Sequence, residues 1–138
     1  MNHYTFEQSV VGLEADFSVV LTQDMMDAFL AISGDCNPLH LDEKYARSHG
    51  MPSRVVYGLL TSSFYSTLAG VYLPGERCLL HGIEISFNRP TYVGDKLHID
   101  GRIAERNETF RQVQIQSRIR NQDGKTVSKA KIKAGFLE

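Results

Sequence analysis

The chain has 138 residues, 42% hydrophobic and 22% charged, with a formal net charge of −1. That length fits one soluble domain, residues 1–138, able to bury a core without staples. The dispersed Lys and Arg exclude a broad nucleic-acid footprint and a polybasic membrane patch. The two cysteines, Cys36 and Cys78, are too few and too far apart for a disulfide framework or a zinc ligand set, and read as free thiols in a reducing cytoplasm.

In chain order, the N-terminal MNHYTFEQSVVG lacks a basic region followed by an apolar run, so no signal peptide is expected. DFSVVL, Asp16 to Leu21, reads as extended. Thr22 is placed to cap a helix over QDMMDAFLAIS, where Met25, Met26, Phe29, Leu30 and Ile32 recur at helical spacing and Gly34 supplies the stop. A loop follows, and Asp42 can cap a second short helix, EKYARSHG, which ends at Gly50 with Pro52 just beyond. Val55 to Gly75 carries no charge and approaches the roughly 20 residues of a spanning helix. Its Gly, Ser and Thr residues dilute it, however, and a helix uncharged all round suits the core of a soluble protein. Leu60, Phe64, Leu68 and Val71 form one face of this helix, and Pro74-Gly75 ends it.

The remainder reads as strand. GIEISFNRP, KLHIDGRIAE, TFRQVQIQSRIRN and KTVSKAKIKAGF alternate apolar and polar residues with period two, as an antiparallel sheet with one dry face requires. Asp123-Gly124 marks a hairpin, and NRPTYVGD bends the chain between two strands. A long apolar helix needs cover on most sides, and a strongly curved sheet supplies it. The expected architecture is α+β, a curved antiparallel β-sheet wrapped around a long central helix.

The stretch that carries chemistry is SGDCNPLHLDEKYA, Ser33 to Ala46. Asp35 and His40 share a short loop that Pro38 restricts. A carboxylate and an imidazole held close can grip a water and share acid and base duties, and the unperturbed pKa of His, about 6.5, suits it to that task. Gly58 falls where the uncharged helix begins, where unpaired N–H groups and the positive dipole end make a candidate oxyanion site. Ser66, two turns on, could reach the same cleft.

Each of these residues has a plainer reading. D-x-N-P is also a common turn in which Asp and Asn bond the local backbone. Ser66 can back-bond to its own helix, and Gly58 can simply permit helix–strand packing. Cys36 has no flanking base at a known spacing and reads as a bystander. Asp35, His40, Asp42 and His49 lack a helix-face ligand spacing, so no metal site is expected. His3, His49, His81 and His98 form no pattern.

ISGDCNPLHLDEKYA resembles the hydratase motif of the MaoC-like dehydratases, the (R)-specific enoyl-CoA hydratases. That motif runs small-Gly-Asp-x-Asn-Pro-aliphatic-His-x-Asp/Glu-x-x-Ala, and Ser33, Gly34, Asp35, Asn37, Pro38, Leu39, His40, Asp42 and Ala46 all comply. SRVVYGLLTSSFYSTLAGVYLPG is similar to that family's central helix and its approach, and ISFNRPTYVGDKLHIDGRI to the strand, bend and strand that follow. The resemblance spans essentially the whole chain and implies the hot-dog fold.

It also implies roles. Asp35 and His40 would hold and activate water, and Asn37 would brace their loop. The Gly58 N–H would bind the thioester oxygen, and Ser66 would help order the site. Tyr57 and Leu59 stand where many relatives carry His and Met, at positions that line the site approach in such proteins. The implied reaction is reversible addition of water to a trans-2-enoyl thioester, giving a (R)-3-hydroxyacyl thioester. No metal or redox cofactor is implied; coenzyme A, or the pantetheine arm of a carrier protein, is the substrate's handle, and a homodimer is the expected assembly. Two rival readings are a hot-dog acyl-CoA thioesterase, which would release free thiol and generally lacks the Asp-x-Asn-Pro-x-His pattern, and a non-catalytic acyl-thioester-binding subunit, which tends to lose the Asp or the His.

Overall fold

The computed structural model describes residues 1–137. Its elements are β1 (Glu14–Val20), α1 (Gln23–Ser33), α2 (Pro38–Leu41), α3 (Glu43–Ser48), α4 (Gly58–Thr67), a π-helical turn over Leu68–Tyr72, then β2 (Cys78–Phe87), β3 (Lys96–Asn107), β4 (Gln112–Arg120) and β5 (Thr126–Phe136). The strands form a five-stranded sheet in the order β1-β3-β4-β5-β2, and every pairing is antiparallel.

Period-two alternation becomes a dry inner face. Leu97, Ile99, Ile103, Val113, Ile115, Ile119, Ile132 and Ala134 are all 0% exposed, while Lys129, Lys131 and Lys133 point to water. The predicted hairpin closes at Gly124, whose φ of 74° is the left-handed conformation the turn needs. The bend before β3 is tied by Asp95, whose carboxylate accepts from the Tyr92 N–H at 3.0 Å.

The helix α4 lies against this inner face, completing the α+β hot-dog architecture. Its buried residues are Leu60, Thr61, Ser62 and Tyr65, continued in the π turn by Leu68 and Ala69. The expected face of Leu60, Phe64, Leu68 and Val71 is therefore corrected at two positions, since Phe64 and Val71 are only half-buried. Hydroxyl-bearing residues enter the core because their polar groups are satisfied. Thr61 and Ser62 donate to the Gly58 carbonyl at 2.8 Å each, and the Tyr65 hydroxyl pairs with Ser128 Oγ at 2.7 Å. The π turn then shifts the phase of the stripe.

Two further differences from the sequence expectation bear on the site. The loop between α1 and α3 contains a one-turn helix, α2, too short for periodicity to reveal. The strand β2 is the sheet's edge, and its apolar residues stay largely uncovered: Leu79 is 48%, Leu80 45%, Ile83 38% and Phe87 54% exposed. Among the described residues, no helix is long and apolar enough to cross a membrane.

Candidate active site

The loop is built by a relay of local caps. Gly34 takes a left-handed φ of 69° and closes α1 by donating its N–H to the Leu30 carbonyl. The Asp35 carboxylate accepts the Asn37 N–H at 3.1 Å, and the Asn37 side-chain carbonyl accepts the Leu39 N–H at 2.9 Å, capping α2 with Pro38 as its first residue. Asp42 then caps α3 by accepting from the Tyr45 N–H at 3.1 Å. The turn reading and the site reading are thus one geometry.

The single turn of α2 brings His40 against the approach to α4. The Val55 N–H donates to the Leu39 carbonyl at 3.1 Å, and His40 Nδ1 lies 2.7 Å from the Val55 carbonyl. A carbonyl only accepts, so Nδ1 carries the proton and Nε2 of the neutral ring keeps its lone pair.

His40 and Gly58 line one cleft of about 290 Å³, with Val55, Thr61, Phe87 and Arg89 among its other walls. Gly58 is the first residue of α4. The Tyr57 carbonyl accepts from the N–H groups of Leu60 and Thr61, and no acceptor for the Gly58 N–H is present among the described residues, so it is free to bind an incoming oxygen. Gly58 also serves packing: a β-carbon there would fall 2.9 Å from Phe87 Cε1.

The remaining candidates do not line this cleft. Asp35 lies outside its walls and is joined to it through Tyr57, whose hydroxyl donates to the Asp35 backbone carbonyl at 2.8 Å. Tyr57 itself is 1% exposed, and Leu59 is 65% exposed on the outside of α4. Burial, with the nearby charges of Asp35, Cys36 and Asp27, pushes the Tyr57 phenol above its ordinary range and keeps it a donor. Ser66 is exposed and, among the described residues, has no back-bond to its helix of the kind Ser62 and Ser63 make, nor any hydrogen bond that connects it to Asp35 and His40. Sequence reasoning missed the Val55 carbonyl, Phe87 and Arg89. A backbone acceptor leaves no trace in a motif, and the other two sit in the strand and bend that read only as structure.

A larger concavity of about 1030 Å³ lies on the sheet's polar face, among Asp100, Arg102, Arg118, Lys129 and Lys131. It contains none of the candidate residues. Its charges are partly matched, with Asp100 pairing to Arg118 at 3.1 Å and to Arg120 at 3.4 Å. Among the described residues, no group of three or more His, Cys, Asp or Glu is placed to hold a metal ion.

A five-stranded antiparallel sheet packed on one central helix, with His40 and the Gly58 N–H facing a common cleft, is the architecture of the hot-dog hydratases. Residues 7–125 match the MaoC-like domain, and the chain belongs to that family. It is 33% identical over 114 residues to the (R)-specific enoyl-CoA hydratase of Aeromonas caviae, covering 83% of this chain and 85% of that one. A solved (R)-hydratase structure from A. caviae superposes with a TM-score of 0.88 at 30% identity, covering 93% of this chain and 97% of the other. The unliganded R-hydratase PhaJ1 of Pseudomonas aeruginosa gives a TM-score of 0.88 at 28% identity, over 96% and 85% of the two chains.

Proposed function

We propose that this chain is an (R)-specific enoyl-CoA hydratase, acting as one MaoC-like domain on trans-2-enoyl thioesters. The observation that carries the reading is the pairing, in one cleft, of a histidine whose Nδ1 is fixed by Val55 with the free N–H of Gly58. Water adds through its oxygen to the β-carbon. The alkene electron pair moves through the α-carbon onto the thioester oxygen, which the Gly58 N–H stabilises. On collapse of that enolate the α-carbon takes up a proton. Prearranged donors of this kind are commonly worth a few kcal/mol. Asp35 and His40 hold the water and together remove and return the protons, typically about 10²- to 10⁴-fold in rate. Asn37 keeps their turn in shape.

The substrate's handle is coenzyme A or a carrier protein's pantetheine arm, and the chain itself supplies the acid, base and electrophile without a metal or redox group. Two free thiols fit a reducing cytoplasm, and the uncovered β2 edge fits a homodimer. Ser66 would order the site only as part of that assembly.

The test is loss of the conjugated enoyl-thioester absorbance with crotonyl-CoA and longer enoyl-CoAs. Hydration should be measurable in the wild type and fall about 10²-fold or more in Asp35→Asn and in His40→Ala. Thiol release without hydration would establish a thioesterase instead, and hydration rates unchanged in both variants would refute the site assignment.

A further inference from the structure

The residue before Gly58 touches more of the site than any motif reveals. Tyr57 is 1% exposed. Its hydroxyl donates to the Asp35 carbonyl at 2.8 Å. Its ring lies 4.1 Å from the His40 ring with an interplanar angle of 30°, and 4.7 Å from the Phe29 ring of α1. Its carbonyl accepts the first N–H bonds of α4, and its own peptide link delivers the Gly58 N–H. One buried side chain therefore meets the backbone of the carboxylate, the face of the imidazole and, through the chain, the oxyanion donor.

The hydroxyl contact matters most because of what else holds the Asp35 turn. Among the described residues, Asp35 and Asn37 otherwise bond only locally, to Ser33, Leu39, the His40 N–H and each other. Among the described residues, the Tyr57–Asp35 bond is the hydrogen bond that ties residues 34–37 to a distant part of the chain. His40 is different, since the Val55 carbonyl anchors it independently. Removing the Tyr57 hydroxyl therefore loosens Asp35 while His40 stays in place.

We infer that Tyr57 is a positioning residue, a buried strut that sets the Asp35 carboxylate relative to His40 and Gly58. It is not a wall of the acyl pocket. This rests on the hydratase reading above. An error of about 1 Å in the placement of a catalytic group is enough to lose about 10²-fold in rate.

Tyr57→Phe tests it, since the ring keeps its packing and the protein should fold. Turnover of crotonyl-CoA should fall about 10- to 100-fold, with KM changed less than about threefold, because a strut acts on the reacting groups and a pocket wall on binding. In an Asp35→Asn background the same change should alter turnover by less than about twofold, because the strut acts through Asp35. In the NMR spectrum the Cys36 amide, next to the released carbonyl, should move, while the His40 ring nitrogens keep the Nδ1–H tautomer. A wild type that hydrates crotonyl-CoA with Tyr57→Phe within about twofold of it overturns the inference and leaves the hydratase reading standing. Equal losses with and without the Asp35 carboxylate overturn it as well, by showing a general structural role. A wild type inactive on every enoyl thioester removes both.

Discussion

At Tyr65 a phenol sits at 0% exposure among aliphatic side chains, its hydroxyl held at 2.7 Å from the fully buried Ser128 Oγ. Burial pushes its pKa from 10.0 up to about 12, against the opposing pull of the Ser128 hydrogen bond. The folded chain therefore keeps a proton that the unfolded chain releases first. The sign follows: this contribution to stability is complete below about pH 10 and is lost as pH rises towards about 12, at up to about 1.4 kcal/mol per pH unit. Denaturant titrations across that window should show wild-type stability falling. Tyr65→Phe should be less stable at neutral pH, by about 1–3 kcal/mol for stranding Ser128, yet fall less steeply in alkali. Tyr57, Tyr92 and Cys78, also shifted upward by burial, contribute to the slope that remains. Identical slopes for the two proteins would remove Tyr65 from the account.

At the scale of elements, the π turn that continues α4 packs closely on the sheet at Gly101 of β3. A β-carbon there would fall 2.5 Å from Leu68 Cδ2 and 3.1 Å from Ile115 Cγ2. Leu68 opens the π turn and is 0% exposed, so it has little room to retreat. Gly101→Ala should destabilise by about 1–3 kcal/mol, visible as a fall in Tm. Leu68→Ala in the same chain should recover part of that loss, because the added methyl then enters the space Leu68 vacates. Losses that simply add would show that the contact is not the cause.

None of this was legible in the sequence, where Gly101 is one glycine in a strand pattern. Legibility elsewhere tracks how far each feature repeats or caps. The strands β3, β4 and β5 alternate long enough to be read, and Thr22, Gly34 and Asp42 announce the ends of α1 and the start of α3. One turn of α2 offers no period. The buried face of α4 is carried by Thr61, Ser62 and Tyr65, which an apolar count passes over because it cannot see their hydroxyls satisfied nearby. Of the candidate residues, Asp35, His40 and Gly58 are singled out by their loop and helix-start positions and by the motif resemblance, whereas the Val55 carbonyl and the Tyr57 contact with Asp35 exist only once the chain has folded back on itself.

For the molecule as a whole, the two edges of the sheet are unequal. On one side β1 is seven residues long and puts Glu14 and Asp16 on its exposed face, devices that keep an edge solitary. On the other, β2 is ten residues long and carries a single charge, Glu84. Leu79, Leu80, Ile83 and Phe87 are each more than a third exposed, and the one interruption is a register shift between Leu80 and Gly82. An uncapped edge with an apolar band calls for a partner, and a second copy pairing β2 to β2 about a two-fold axis would cover the β2 edge of each copy at once. Phe87 ends β2 and lies over Gly58, so such a partner would also close the cleft region against water. The mass in solution should accordingly be twice 15.5 kDa. Leu79→Glu, at a position 48% exposed, should leave the fold intact by circular dichroism, shift the mass towards the monomer and lower hydration with it. A fully active monomer at micromolar concentration would show that β2 is covered by something other than a second copy, and that one chain completes the site alone.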